Sequence, residues 1–275
     1  MKSEKRVDGC TIKPIPRKIQ LIDDYTTEAK AKNLIWAVTE ADISKARAKF
    51  RNHFENTNEK ISMTAYIIAI TARVVEMHKF PVNTLRYKKK RYYTFDDVDI
   101  LTNIERNLHG IKKPVNYTVR KANGKTLRQI NDELRRAQSQ KVKVTDSGKG
   151  AARLLKIFPK LPRFLRRMII HYIFRHPMVK KNLLGTIGVT AVGMMGKVGG
   201  RRGGNGHMIH ITPHTLSVGV GGIGIHPTTV GDQTEHHEFI DITIAMDHAI
   251  IDGEPATRFL HDLKYGLEDS YLDED

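Results

Sequence analysis

Near the C-terminus the apolar residues Ile240, Ile242 and Ile244 alternate, strand-like, into Asp247-His248-Ala249-Ile250-Ile251-Asp252-Gly253. A histidine titrates near neutrality, so it can take a proton from a nucleophile at physiological pH. Where a strand leaves its sheet, such a group stands on a loop held by a rigid scaffold, a common place for catalytic residues. Asp252, four residues on, could orient that base or lock the Asp-Gly turn. By itself the spacing fits a packed histidine and an ordinary turn more readily than a catalytic pair.

The competing motifs fail on context. Gly219-Val220-Gly221-Gly222-Ile223-Gly224 fits G-x-G-x-x-G, but a dinucleotide fingerprint needs a helix to open there. His226-Pro227-Thr228-Thr229 follows and opens none, so the glycines read as a tightly packed strand and its exit. His207, His210 and the pair His236-His237 lack cysteine partners and an H-E-x-x-H helix, so no metal is expected. Neither a G-x-S-x-G elbow nor a P-loop occurs. Cys10, the single cysteine, excludes an intrachain disulfide and suits a reducing compartment.

The elements that must hold His248 are legible from periodicity. Thr11 to Asp23 reads as extended and Thr26 to Lys32 as helical. Leu34 to Val38 is strand-like, and a helix follows from Asp42. Met63 to Met77 is a helix with apolar residues at helical spacing and Ser62 as its cap. Leu85 to Tyr93 reads as a basic hairpin, Val98 to Ile104 and Lys113 to Val119 as strands, and Asn123-Gly124 as a turn. Thr126 to Gln140 is an amphipathic helix. Ser147 to Gly150 reads as a flexible joint. Ile187 to Val192, Met208 to Ile211, Thr215 to Val220 and Phe239 to Met246 read as strands. A closing amphipathic helix carries Phe259, Leu260, Leu263 and Leu267.

The chain of 275 residues carries a formal net charge of +16, and no acidic residue lies between Asp146 and Asp232. That stretch projects a positive field. It can draw cofactor phosphates, an anionic membrane surface or nucleic acid, or simply be a solvated face. Residues 153–175 interleave arginine with apolar bulk and are broken by Pro159 and Pro162. They read either as basic amphipathic helices at a membrane interface or as core-packing helices whose arginines face solvent. No zinc-finger or aromatic RNA-binding signature supports nucleic acid as a partner. No secretory signal or membrane-length apolar run is present, which points to the cytoplasm, with peripheral membrane contact open.

Asp247-His248-Ala249-Ile250-Ile251-Asp252-Gly253, followed by Ala256, Arg258-Phe259-Leu260 and Leu263, resembles the active-site segment of the chloramphenicol acetyltransferase-like family. The likeness is close to the catalytic domain of the dihydrolipoyl acyltransferase component of 2-oxoacid dehydrogenase complexes. Gly185-Thr186-Ile187-Gly188-Val189-Thr190-Ala191-Val192-Gly193-Met194-Met195-Gly196 is a second match upstream. Others are Arg17-Lys18, Asn123-Gly124-Lys125-Thr126-Leu127, and Ile211-Thr212-Pro213 leading to Val218-Gly219-Val220-Gly221. They run in order from about residue 14 to 268.

The resemblance implies an α/β two-layer sandwich, a mixed sheet with flanking helices, forming one acyltransferase domain over residues 1–275 with a basic amphipathic segment at about 150–182. It implies a CoA-dependent acyltransferase, with acyl-CoA as substrate and a thiol or hydroxyl acceptor. His248 would be the general base, Thr190 the support of the tetrahedral intermediate, and Asp252 the structural partner of Arg17. It also implies a homotrimer whose substrate channel lies between subunits. Three departures stand out. Ala249 occupies a position where the dehydrogenase components usually carry arginine. No lipoyl or subunit-binding domain precedes the catalytic region. The basic segment is longer and more apolar. A free-standing acyltransferase is the expectation, and a catalytically silent basic scaffold that keeps the fold is the alternative.

Overall fold

The computed structural model describes residues 5–87, 91–108, 111–139, 157–191, 197–198, 201–202 and 205–269. The expected joint at Ser147 to Gly150 lies outside them. The chain opens with a small hairpin, β1 (Lys5–Val7) and β2 (Cys10–Ile12), then α1 (Arg17–Ala29), β3 (Leu34–Asp42), α2 (Ser44–Thr57), α3 (Met63–Met77) and the short α4 (Lys79–Val82). The second hairpin is β4 (Thr84–Tyr87) with β5 (Arg91–Thr94), and β6 (Ile100–Leu108), β7 (Ile111–Val119) and α5 (Leu127–Ser139) follow. The basic segment forms α6 (Arg163–Arg175) and α7 (Pro177–Leu184). The rest is β8 (Ile187–Thr190), the small pair β9 (Lys197–Val198) and β10 (Arg201–Arg202), β11 (Leu216–Val230), β12 (Gln233–Asp247) and α8 (Gly253–Glu268).

Six strands form one mixed sheet in the order β3-β12-β11-β8-β6-β7. β8 runs parallel to both of its neighbours, β11 and β6, and the other pairings are antiparallel. Pro114 lies in β7, an edge strand, where a residue without an N–H costs no ladder bond. Helices α3, α5 and α8 pack with the sheet around one apolar core. Ser62 caps α3, its Oγ accepting from Ala65 N at 3.0 Å. Tyr66 is fully buried, and its hydroxyl donates to Leu267 O at 2.8 Å, tying α8 to α3. This is the sandwich that the sequence led us to expect.

Three local readings change. Thr11 to Asp23 is not extended throughout: α1 begins at Arg17, with Pro16 as its N-cap. Proline is tolerated there because the first N–H groups of a helix have no intrahelical partner. Met208 to Ile211 is not a strand. It crosses over β11, where the glycine run makes room: a Cβ at Gly219 would meet the His210 ring at 2.7 Å, and one at Gly221 would strike Gly206 O. The G-x-G-x-x-G pattern is therefore a packing device, with a register shift between Val220 and Ile223, and β11 continues through His226-Pro227 to Val230.

The third concerns α6. Arg166 is buried, and its Nε donates to Asp24 Oδ2 at 2.7 Å; Arg163 binds Asp23 and the same Asp24, and His171 meets Glu28 at 3.0 Å. All three carboxylate partners, Asp23, Asp24 and Glu28, lie on α1. Phe164, Met168 and Tyr172, one helical turn apart, face outward instead. The reading with arginines in solvent and apolar residues in the core is thus reversed at Arg166, Phe164, Met168 and Tyr172, while it holds at Ile170, which is buried, and at Arg163, Arg167 and Arg175, which are exposed.

Candidate active site

β12 ends at Asp247, and the chain makes one tight turn before α8. Asp247 builds that turn. Its carbonyl accepts from Ile250 N and Ile251 N at 2.9 and 3.0 Å, and its Oδ1 accepts from Ala249 N at 3.2 Å. The side chain is buried, with Oδ2 against Lys32 Nζ at 2.5 Å. Ile251 is wholly buried and anchors the far side. His248 sits between these anchors. Its N–H donates to Asn33 O at 2.8 Å, while the residue is exposed. Among the described residues the imidazole has no hydrogen-bond partner, so the backbone is pinned and both ring nitrogens are open to a ligand.

Asp252 caps α8, accepting from Gly253 N at 2.8 Å. Arg17 is exposed at the start of α1, and within the protomer the two form no ion pair among the described residues. The carboxylate that fastens this turn to the N-terminal region is Asp247, through Lys32. Sequence reasoning missed this pair. Its only local signal was that Asp247 adjoins His248, and Lys32 lies 215 residues away.

Thr190 closes β8, its Oγ1 donating a long hydrogen bond to Asn103 Oδ1 at 3.5 Å. Across the sheet Thr190 pairs with Gly219, and Gly219 with Thr243. His248 lies five residues beyond Thr243, roughly 16 Å along β12 and roughly 10 Å across two strand spacings. One protomer therefore holds the two groups apart, by roughly 19 Å on that geometry. A site that uses both needs two copies of the chain.

Beneath the turn lies a buried polar layer that the sequence reading did not assign. Lys180 is buried on α7, and its Nζ donates to Pro213 O. Burial, reinforced by the neighbouring Lys32 ammonium and opposed by Asp247, holds its pKa well below the usual lysine value. His214 is also buried, with Nε2 against Leu184 O at 2.9 Å and Nδ1 against Thr212 Oγ1 at 3.2 Å. Burial and the cation of Lys180 push its pKa down to about 3, so it is neutral near pH 7. His210, lowered chiefly by burial, meets Ser217 Oγ at 2.5 Å.

One described group could hold a cation: single ligand atoms of Glu40, His207 and Asp241 lie within 4.8 Å of one another. Asp241 precedes Asp247 by six residues of strand, so this group stands well away from the His248 turn.

Comparison with known proteins defines the class. Residues 184–272, spanning β8 to α8, match the family 2-oxoacid dehydrogenases acyltransferase (catalytic domain). No curated protein matches the chain by sequence. A probable dihydrolipoamide acetyltransferase from Listeria monocytogenes has a TM-score of 0.63 at 16% identity, covering 97% of both chains. The cubic core of a pyruvate dehydrogenase multienzyme complex gives 0.65 at 15% identity over 94% of this chain and 92% of that one. A truncated catalytic core of the 2-oxoacid dehydrogenase complex from Thermoplasma acidophilum gives 0.62 at 18% identity, over 95% and 99%. The fold is thus the chloramphenicol acetyltransferase-like sandwich of these cores. The sequence signature of the 2-oxoacid dehydrogenases acyltransferase catalytic domain is carried by the C-terminal third of the chain. No helix among the described residues is long and apolar enough to cross a membrane.

Proposed function

We propose that this protein moves an acyl group between a CoA thioester and a thiol or hydroxyl acceptor, with His248 as general base, in a site formed between copies of a cytoplasmic homotrimer. The observation that carries the reading is the pinned backbone and open imidazole of His248. His248 takes the S–H or O–H proton of the acceptor as its sulfur or oxygen attacks the thioester carbonyl. The tetrahedral intermediate carries an oxyanion, to which Thr190 of a neighbouring copy donates. Collapse breaks the carbon–sulfur bond, and the CoA thiolate leaves with the proton returned by His248. A base of this kind contributes roughly a hundredfold to ten-thousandfold, and one oxyanion donor about 3–4 kcal/mol. Asp252 and Arg17 support the site, Asp252 as the cap of α8 and Arg17 by contact with a neighbouring copy.

The test is complementation. His248→Ala lowers kcat by roughly a hundredfold or more without loss of stability. Mixing denatured and refolded His248→Ala and Thr190→Ala chains restores on the order of a quarter of the sites if each draws its two groups from different copies. Full activity in correctly folded His248→Ala protein would sink the reading; failure to complement would sink its shared site.

A further inference from the structure

A cavity of ≈ 230 Å³ opens between α1, β4, α6, α7 and the turn that carries His248. Four cations line it: Lys32, Arg86, Arg175 and Lys180. The only carboxylate in its wall is Glu28, and that group is engaged by His171 Nδ1 at 3.0 Å. Lys32 is satisfied by Asp247. The other three have no carboxylate partner among the described residues.

Lys180 is the informative one. It is 2% exposed, where a cation is costly unless paired. An ammonium has three N–H donors, and here only the Pro213 carbonyl is assigned to it, with the Phe174 ring 5.9 Å away. Its charged neighbours are Lys32, which repels it, and Asp247, which attracts it but is already paired with Lys32. Arg86 and Arg175 reach the same space from β4 and α6, and both are exposed at its mouth. A guanidinium pair presents planar forks that match carboxylate and phosphate oxygens. Positive side chains converging in a cleft with low-dielectric walls concentrate anions. The volume lies below the roughly 300–1,000 Å³ of pockets that enclose a drug-sized ligand, so the cavity fits the charged end of a molecule and not a whole nucleotide cofactor. Ile250 in its wall and Lys32 on Asp247 place it beside the His248 turn.

We propose that this cavity is an anion subsite, in which Lys180, Arg86 and Arg175 hold a phosphate or carboxylate group of a substrate of the acyl transfer. The assignment of the anion to a substrate rests on the acyltransferase mechanism above. Two molecules can supply such a group: the acyl acceptor, or CoA through one of its phosphates.

Inorganic phosphate is the first probe, titrated calorimetrically at constant ionic strength into the wild type and into His248→Ala. Saturable binding of equal affinity in both is expected, because the subsite does not need the base. Arg86→Gln with Arg175→Gln, both at exposed positions, weakens it at least tenfold, and Lys180→Met abolishes it. The source of the anion is read from steady-state kinetics. If the acceptor supplies it, phosphate competes with the acceptor and the arginine variants raise only the acceptor's KM. If CoA supplies it, phosphate competes with acyl-CoA and the KM of acyl-CoA rises. Absence of saturable phosphate binding, or binding unchanged in the arginine variants, overturns the subsite while His248-dependent turnover stands. An inactive His248→Ala variant with intact phosphate binding keeps the two claims separate.

Discussion

The Asp247–Gly253 turn and the α6 helix are both built around charged or titratable side chains among apolar ones, yet they are held in opposite ways. In the turn the partners are local: Asp247 ties Ala249, Ile250 and Ile251 to itself, and Asp252 caps Gly253. From afar come Lys32, Asn33 and Thr215, whose carbonyl accepts from Asp247 N at 2.9 Å. In α6 the carboxylate partners are distant, although Arg166 Nη1 also donates to Leu161 O at 2.9 Å. Arg163, Arg166 and His171 reach carboxylates on α1 some 140 residues earlier in the chain, Asp23, Asp24 and Glu28. The turn leaves one polar ring exposed, His248, whereas α6 hides an arginine and exposes Phe164, Met168 and Tyr172. A segment that satisfies itself locally can be read as a motif. One that depends on a distant face cannot, because its amphipathic pattern does not say which side the core lies on.

The largest test of this contrast removes the distant anchor. Asp24→Ala leaves Arg166 buried without its carboxylate, and breaking such a pair costs about 3–5 kcal/mol. Chemical denaturation should show that loss, while Asp252→Ala at the turn gives only about 1 kcal/mol, the usual value of a cap. Comparable losses in the two variants would erase the distinction.

The layer beneath the turn is tested by acid. The folded pKa of His214 is about 3 against 6.5 for the free side chain, so the unfolded chain binds its proton first. Its contribution is fully present above pH 6.5 and is lost as pH falls toward 3, on the order of 5 kcal/mol over that window. Denaturation midpoints measured from pH 7 to 4 should fall in the wild type and flatten in His214→Gln.

A smaller effect separates two accounts of Arg17. In a double-mutant cycle with Arg17→Gln and Asp252→Ala, a coupling near zero fits the protomer, where the pair does not form. A coupling of about 1 kcal/mol or more, present only in assembled protein, would place the pair between copies. The smallest change in stability is expected at the exposed face of α6. Met168→Glu should shift it by no more than about 0.5 kcal/mol. If that face meets an anionic bilayer, the same substitution lowers co-sedimentation with phosphatidylserine vesicles; unchanged co-sedimentation removes α6 from any membrane contact.

Much of the fold was legible because its elements follow simple periods. The helix at Met63–Met77 and its Ser62 cap needed only helical spacing and a hydroxyl. β12 followed from the alternation of Ile240, Ile242 and Ile244. The start of α1 was misplaced because Pro14 and Pro16 look like signals of extended chain, although proline is equally at home at the threshold of a helix. Met208 to Ile211 alternates like a strand but finds no edge to pair with, since β11 already lies between β12 and β8. Of the candidate site, His248 and the Asp252-Gly253 turn were visible in seven consecutive residues; that Asp252 caps α8 emerged only from the structure. The Lys32–Asp247 pair and the buried Lys180 were not, for nothing near Lys180-Lys181 distinguishes a buried lysine from a solvated one.

The sequence by itself determined the chemistry on offer: a histidine at a strand end, a hydroxyl at Thr190, an Asp-Gly turn, and a long basic stretch without acids. Local pattern sufficed for the histidine, the turn and the charge; Thr190 was singled out only by the family resemblance. Tertiary structure decided the rest. The sheet register sets His248 far from Thr190 in one protomer, and the packing of α6 and α7 on α1 turns scattered basic residues into one cationic cavity. Distances across strands and the burial of single charges depend on contacts between segments more than a hundred residues apart, which no local pattern encodes.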